Sequence, residues 1–220
     1  MLSSTIFRKG LGSFQSLFRK GKDPTKQLSE GDVELYDVLK SSYGHEESKK
    51  KLESKNYILD KELSSHNQQV YYNPENKKMI YSVTGTHNIN DLGTDLMLMG
   101  GKLKDTKRFK EAKTTLEKAK EKYDNPYTTV TGHSLGGSIA SKLSGDKIIS
   151  LDKASEIGAT TRANEINLRT RGDLVSIFSS GNRNTHTLNH GGRNLLSGNP
   201  LDYLAAHKVD NIKKYNFMIG

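Results

Sequence analysis

The sequence predicts an α/β fold built on a compact, mostly parallel sheet with an antiparallel hairpin at its start. Three observations carry that expectation. Short β-branched runs alternate with amphipathic helical stretches through the second half of the chain. Two strand-like runs joined by a polar turn precede them. Between Tyr127 and Gly145 a β-branched run passes through Gly132, Ser134 and Gly136 into a small-residue helical stretch. At 220 residues the chain fits a single domain with one continuous core.

Taken in order, residues 1–27 form a basic amphipathic segment. Six bases stand against Asp23 alone, so more than half of the net charge of +9 lies here. Within residues 1–22, Phe7, Leu11, Phe14 and Phe18 recur at helical spacing. That pattern suits an anionic membrane surface, an organelle-targeting peptide or a disordered basic tail, and it is not a secretory signal. Asp23 and Pro24 mark a hinge, and residues 28–220 are read as the folded domain. Residues 28–40 read as a helix burying Leu28, Val33, Leu35, Tyr36, Val38 and Leu39. A polar connection or solvated helix covers Glu46 to Lys55.

The hairpin pairs Gln69–Tyr72 with Met79–Thr84 across an Asn73-Pro74 turn. Ile89–Met99 reads as a helix ended by Gly100 and Gly101, and a second helix spans about Asp105 to Tyr123 with Phe109, Ala112, Leu116 and Ala119 as its apolar stripe. After the glycine-flanked serine come strands at Lys147–Leu151 and Ile166–Thr170, an apolar segment from Leu174 to Phe178, a strand near Thr185–Leu188 and a short helix from Asp202 to His207. No internal repeat is present. The chain has no cysteine, which excludes a disulfide framework and a thiol nucleophile.

The stretch around Ser134 spells a nucleophile elbow. A serine at a tight strand-to-helix turn is held in a strained backbone conformation that pushes its hydroxyl beyond the strand end. Glycines two before and two after it avoid collisions that a β-carbon would cause, and Gly132 and Gly136 occupy those places. Leu135 N–H, at the start of the following helix, faces developing negative charge. His133 lies inside the elbow and is read as pointing elsewhere.

In three-layer α/β hydrolases the acid and then the histidine follow the serine on later loops. That order leaves His186, His190 and His207 as candidate bases. Asp173, just past the Ile166–Thr170 strand and its Gly172 turn, is the favoured acid, with Asp152 as runner-up because it too follows a strand.

These residues resemble class 3 lipases, the fungal lipase-like family of α/β hydrolases, over roughly residues 68–215. Gly132, His133, Ser134, Leu135, Gly136 and Gly137 spell the family's elbow in full. Val83-Thr84-Gly85-Thr86 is similar to the family's oxyanion strand, Asp91 to Leu96 to the segment after it, and Gly172 to Val175 to its acid loop. The resemblance implies Ser134 as nucleophile, Asp173 as acid, His207 as base, and the backbone amides of Thr86 and Leu135 as oxyanion donors. Thr84 and Leu92 depart from the family's usual Arg and Trp. The connection between the oxyanion strand and the elbow is short, which reduces any lid.

The expected activity is hydrolysis of lipid esters, phospholipid or acylglycerol, through an acyl-enzyme. Leu96, Met97 and Met99 are candidates for an acyl-chain wall, with ordinary core packing as the competing role. The site residues call for no metal or cofactor. Residues 1–22 would bring the protein to anionic membrane as a partner, while the modest charge elsewhere and the absence of a recognition motif argue against nucleic acid. The competing readings are a non-catalytic membrane-associated protein that keeps the fold, and an acyltransferase or peptidase using the same triad. The sequence is silent on oligomeric state.

Overall fold

The computed structural model describes residues 24–86, 102–154, 161–173, 175–176, 184–189 and 205–220. The amphipathic segment at residues 1–22, the helix expected at Ile89–Met99 with Leu96, Met97 and Met99, and His190 lie outside the described residues.

Seven strands form one sheet whose spatial order follows the chain: β2 (Ile58–Leu59), β3 (Gln68–Asn73), β4 (Lys78–Val83), β5 (Tyr127–His133), β6 (Lys147–Leu151), β7 (Glu165–Thr170) and β8 (Thr185–Leu188). The first three pair antiparallel, and β4 through β8 are parallel. All the parallel strands therefore end at one edge, where loops can converge. A separate two-stranded antiparallel sheet joins β1 (Val33–Glu34) to β9 (Met218–Ile219).

Helices cover both faces, and the alternation of side chains along each strand divides the core accordingly. Tyr71, Ile80, Ile149 and Leu151 pack with α2 (Leu35–Ser42) and the C-terminal segment. Val70, Met79, Tyr81, Val83 and Ile148 pack on the other face with α4 (Lys107–Lys122) and α5 (Leu135–Ala140). Preceding these, α1 is the single turn Pro24–Gln27, and α3 is Glu46–Glu53.

Several boundaries differ from the sequence expectation, each for a long-range reason. The helix read from residue 28 starts at Leu35, because Val33 and Glu34 pair with Ile219 and Met218 at the far end of the chain. Edge strand β2 is only two residues long, too short for a periodic signal, and is recruited by β3. The elbow helix ends at Ala140 rather than near Gly145. No described helix is long and apolar enough to cross a membrane.

Candidate active site

The site begins at the carboxyl edge of β5. Ser134 has φ 59° and ψ −126°, a conformation that costs a non-glycine residue about 1–3 kcal/mol and persists only when neighbours enforce it. The enforcing contacts are explicit. Ser134 N–H donates to Leu151 O of β6 at 2.9 Å, while Ser134 O accepts from Ser138 N–H at 3.0 Å as α5 begins. A β-carbon on Gly132 would sit 2.4 Å from the Gly136 carbonyl, and one on Gly136 would sit 2.1 Å from Val83 O. The strand, the turn and β4 are thus in backbone contact, and only glycine fits at both flanks.

Asp173 lies three residues past β7 and is buried. Its carboxylate is held by its own loop: Oδ1 accepts from Val175 N–H at 3.2 Å and Oδ2 from Ser176 N–H at 2.9 Å. Oδ1 also lies 2.8 Å from His207 Nδ1. His207 follows a helical turn at Ala205 and Ala206 and is itself buried. Burial works against its charged form, but the hydrogen bond and charge of Asp173, aided by the charge of Asp152, outweigh burial and raise its pKa above the ordinary 6.5.

The structure thus brings Asp173 and His207 together. The other candidate base among the described residues, His186, lies within β8, in register with Leu168.

His133 does not point away from this centre, as the sequence reading had it. Its ring packs on that of His207, with centroids 4.7 Å apart and planes tilted by 39°. Burial, then the charge of His207, hold His133 well below its usual pKa, so it stays neutral. The pair places His207 against the residue directly preceding Ser134. Ser134 Oγ and His207 Nε2 are both buried, and neither has a hydrogen-bond partner among the described residues. Such contacts often tighten only when substrate is bound.

Sequence reasoning missed two supports of this site. Tyr43, which caps the C-terminus of α2, receives Gly85 N–H on its hydroxyl oxygen at 3.1 Å and sits 2.8 Å from His133 Nδ1. The Tyr43 hydroxyl thus bridges the Gly85 amide and the His133 ring. From the other side, Arg108 of α4 donates through Nη2 to Thr84 O and, at 3.3 Å, to Gly85 O. Thr84 itself anchors its hydroxyl on Ser42 O at 3.1 Å. The chain leading into Thr86 is consequently clamped by α2 and α4 together. Tyr43→Phe leaves two buried groups without their shared partner, and an unfolding free energy lower by about 1–3 kcal/mol is expected in a urea titration.

Burial also raises the Tyr43 hydroxyl to about 12, so it remains a donor at any working pH.

A glycine-flanked serine on a strained turn at the carboxyl edge of a mainly parallel, helix-covered sheet defines an α/β hydrolase fold. Residues 75–164 match the family lipase (class 3), so the resemblance seen in the sequence holds over the hairpin turn, β4, α4, the elbow and β6. No curated protein matches the chain. Among solved structures, the chain is similar to Lip2 lipase from Yarrowia lipolytica, with 15% identity, a TM-score of 0.41, and 55% of this chain and 60% of that one covered. It is also similar to a Rhizomucor miehei lipase propeptide complex, with 13% identity, a TM-score of 0.37, and coverage of 64% and 60%. A triacylglycerol lipase from Penicillium expansum matches at 15% identity with a TM-score of 0.34, covering 56% and 64%. The match thus spans about three fifths of each of these chains.

Proposed function

We propose that the protein is a serine carboxyl-ester hydrolase acting on lipid esters, with Ser134 as nucleophile, His207 as base and Asp173 as its orienting acid. The observation that carries this reading is the Asp173–His207 hydrogen bond beside a strained Ser134 elbow, in the chain order serine, acid, histidine. In the proposed reaction Ser134 Oγ attacks the ester carbonyl as His207 Nε2 takes its proton. Asp173 holds the ring through Nδ1 and stabilises the imidazolium. The N–H groups of Thr86 and Leu135 receive the developing oxyanion, each worth about 3–4 kcal/mol of barrier. His207 then protonates the departing alcohol, and water activated by the same ring releases the acid from the acyl-serine.

The family match over residues 75–164 supports a lipid ester as substrate. Phospholipid and acylglycerol are both compatible with it, and the basic amphipathic residues 1–22 favour a substrate presented on an anionic bilayer. Assays on short p-nitrophenyl esters and on anionic phospholipid vesicles test the reading. The wild type is expected to hydrolyse at least one of the two, and Ser134→Ala to lose about 10⁵–10⁶-fold in kcat. Equal rates for the two proteins would refute it.

A further inference from the structure

A second carboxylate stands at this centre. Asp152 immediately follows β6, in the left-handed conformation at φ 47°, and its N–H donates to Leu168 O of β7 at 2.8 Å. That backbone geometry folds the side chain onto the end of β7, where Oδ1 accepts from Thr170 N–H and Oδ2 from the Thr170 hydroxyl at 2.9 Å. The residue has no exposed surface, and among the described residues no lysine or arginine forms an ion pair with it. A carboxylate oxygen of Asp152, a ring nitrogen of His133 and a ring nitrogen of His207 all lie within 4.8 Å of one another.

A buried carboxylate needs a positive charge or several donors to stay ionised. Here Thr170 supplies the donors and Arg169 a standing attraction, and a further positive charge appears beside the carboxylate when His207 is protonated, which is the state the proposed transition state creates. We propose that Asp152 is a positioning residue for the reaction, serving His207 through space by charge while Asp173 serves it by hydrogen bond. This inference rests on the reading of His207 as the base.

The surroundings make the second charge proton-dependent. Asp173 faces Asp152 from the loop after β7, His133 from the end of β5, His207 from the C-terminal segment and Arg169 from β7 itself. Burial, followed by repulsion from Asp173, pushes Asp152 up to about 7, against the opposing pull of His207 and the Thr170 donors. Neutral His133 contributes no charge, and Arg169 is attracted by both carboxylates. Asp152 is thus ionised on the alkaline side of neutrality, where a general base must work, and discharged as the medium acidifies.

The test is a ¹⁵N-histidine NMR titration of His207 in the full-length protein, run beside the pH profile of kcat/KM on a short p-nitrophenyl ester. Asp152→Asn keeps an acceptor and a donor for Thr170 while removing the charge. It is expected to lower the His207 titration midpoint by about 1 pH unit, with the acid limb of kcat/KM moving the same way. Thr170→Val removes one donor to Asp152, keeps it neutral to higher pH, and is expected to give a smaller shift in the same direction; it carries the test if Asp152→Asn fails to fold. A His207 titration that superimposes on wild type in the folded variants overturns the proposal. The NMR arm needs no turnover. A protein that shows the shift but never hydrolyses an ester overturns the function proposed above and leaves the coupling standing.

Discussion

His207→Gln is expected to lower kcat on a short p-nitrophenyl ester by about 10⁴-fold or more. The reason is local. His207 is the one described histidine with a hydrogen bond to Asp173, and among the described residues its other ring nitrogen is buried without a partner, as the proposed base requires. Glutamine fills much of the same space but cannot accept that proton and return it. The same geometry fixes the pH dependence. As the proposed base His207 has to be neutral to act, and its pKa is raised above 6.5, so kcat/KM is expected to fall as pH drops through a midpoint above that value. Asp173→Asn removes the principal support of the charged ring and is expected to move the limb to lower pH, with kcat reduced by about 10³–10⁴-fold. A limb unmoved by Asp173→Asn would separate the two residues functionally.

Gly136→Ala is expected to be the most damaging glycine-to-alanine change among the described residues. The added carbon would lie 2.1 Å from Val83 O and 2.7 Å from the Thr84 carbonyl carbon, both backbone atoms of the strand that leads to Gly85 and Thr86. No flexible side chain stands there to move aside. Either β4 separates from the elbow helix or the turn at Ser134 relaxes, and both destroy the site. A loss of about 3 kcal/mol or more is expected from urea unfolding, a large share of the 5–15 kcal/mol that holds a domain together. Wild-type stability in this variant would show that the elbow is looser than its contacts imply.

How far the sequence reaches depends on how local the determining contacts are. The elbow is local: Gly132, Ser134 and Gly136 lie within five residues, and the strand before them and the helix after them are written in the same stretch. The β3–β4 hairpin and strands β6 to β8 are legible for a similar reason, since β-branched and apolar runs between turn residues specify them one at a time. Asp173 is legible because a strand and a glycine turn place it at the right edge. Pairing it with a particular histidine was beyond periodicity, since 34 residues separate it from His207.

Tyr43 shows the limit most clearly. In sequence it is a tyrosine at a helix end, and its partner His133 is 90 residues away. Only the closed fold brings its hydroxyl between Gly85 and the elbow. Asp152 differs again. Its position after a strand was readable, but its contact with Thr170 depends on a left-handed backbone that an aspartate rarely needs to adopt. The shift of the first helix to Leu35 has the same origin, in a pairing of Val33 with Ile219 that spans nearly the whole chain.

Covalent labelling tests the proposed nucleophile Ser134 directly, without knowledge of the natural lipid. Full-length protein treated with a fluorophosphonate, digested and mapped by mass spectrometry is expected to carry the phosphonyl group on Ser134. Labelling should be abolished in Ser134→Ala and slowed by orders of magnitude in His207→Gln. An unlabelled wild type, or a label on another residue that persists in Ser134→Ala, would rule out Ser134 as the nucleophile.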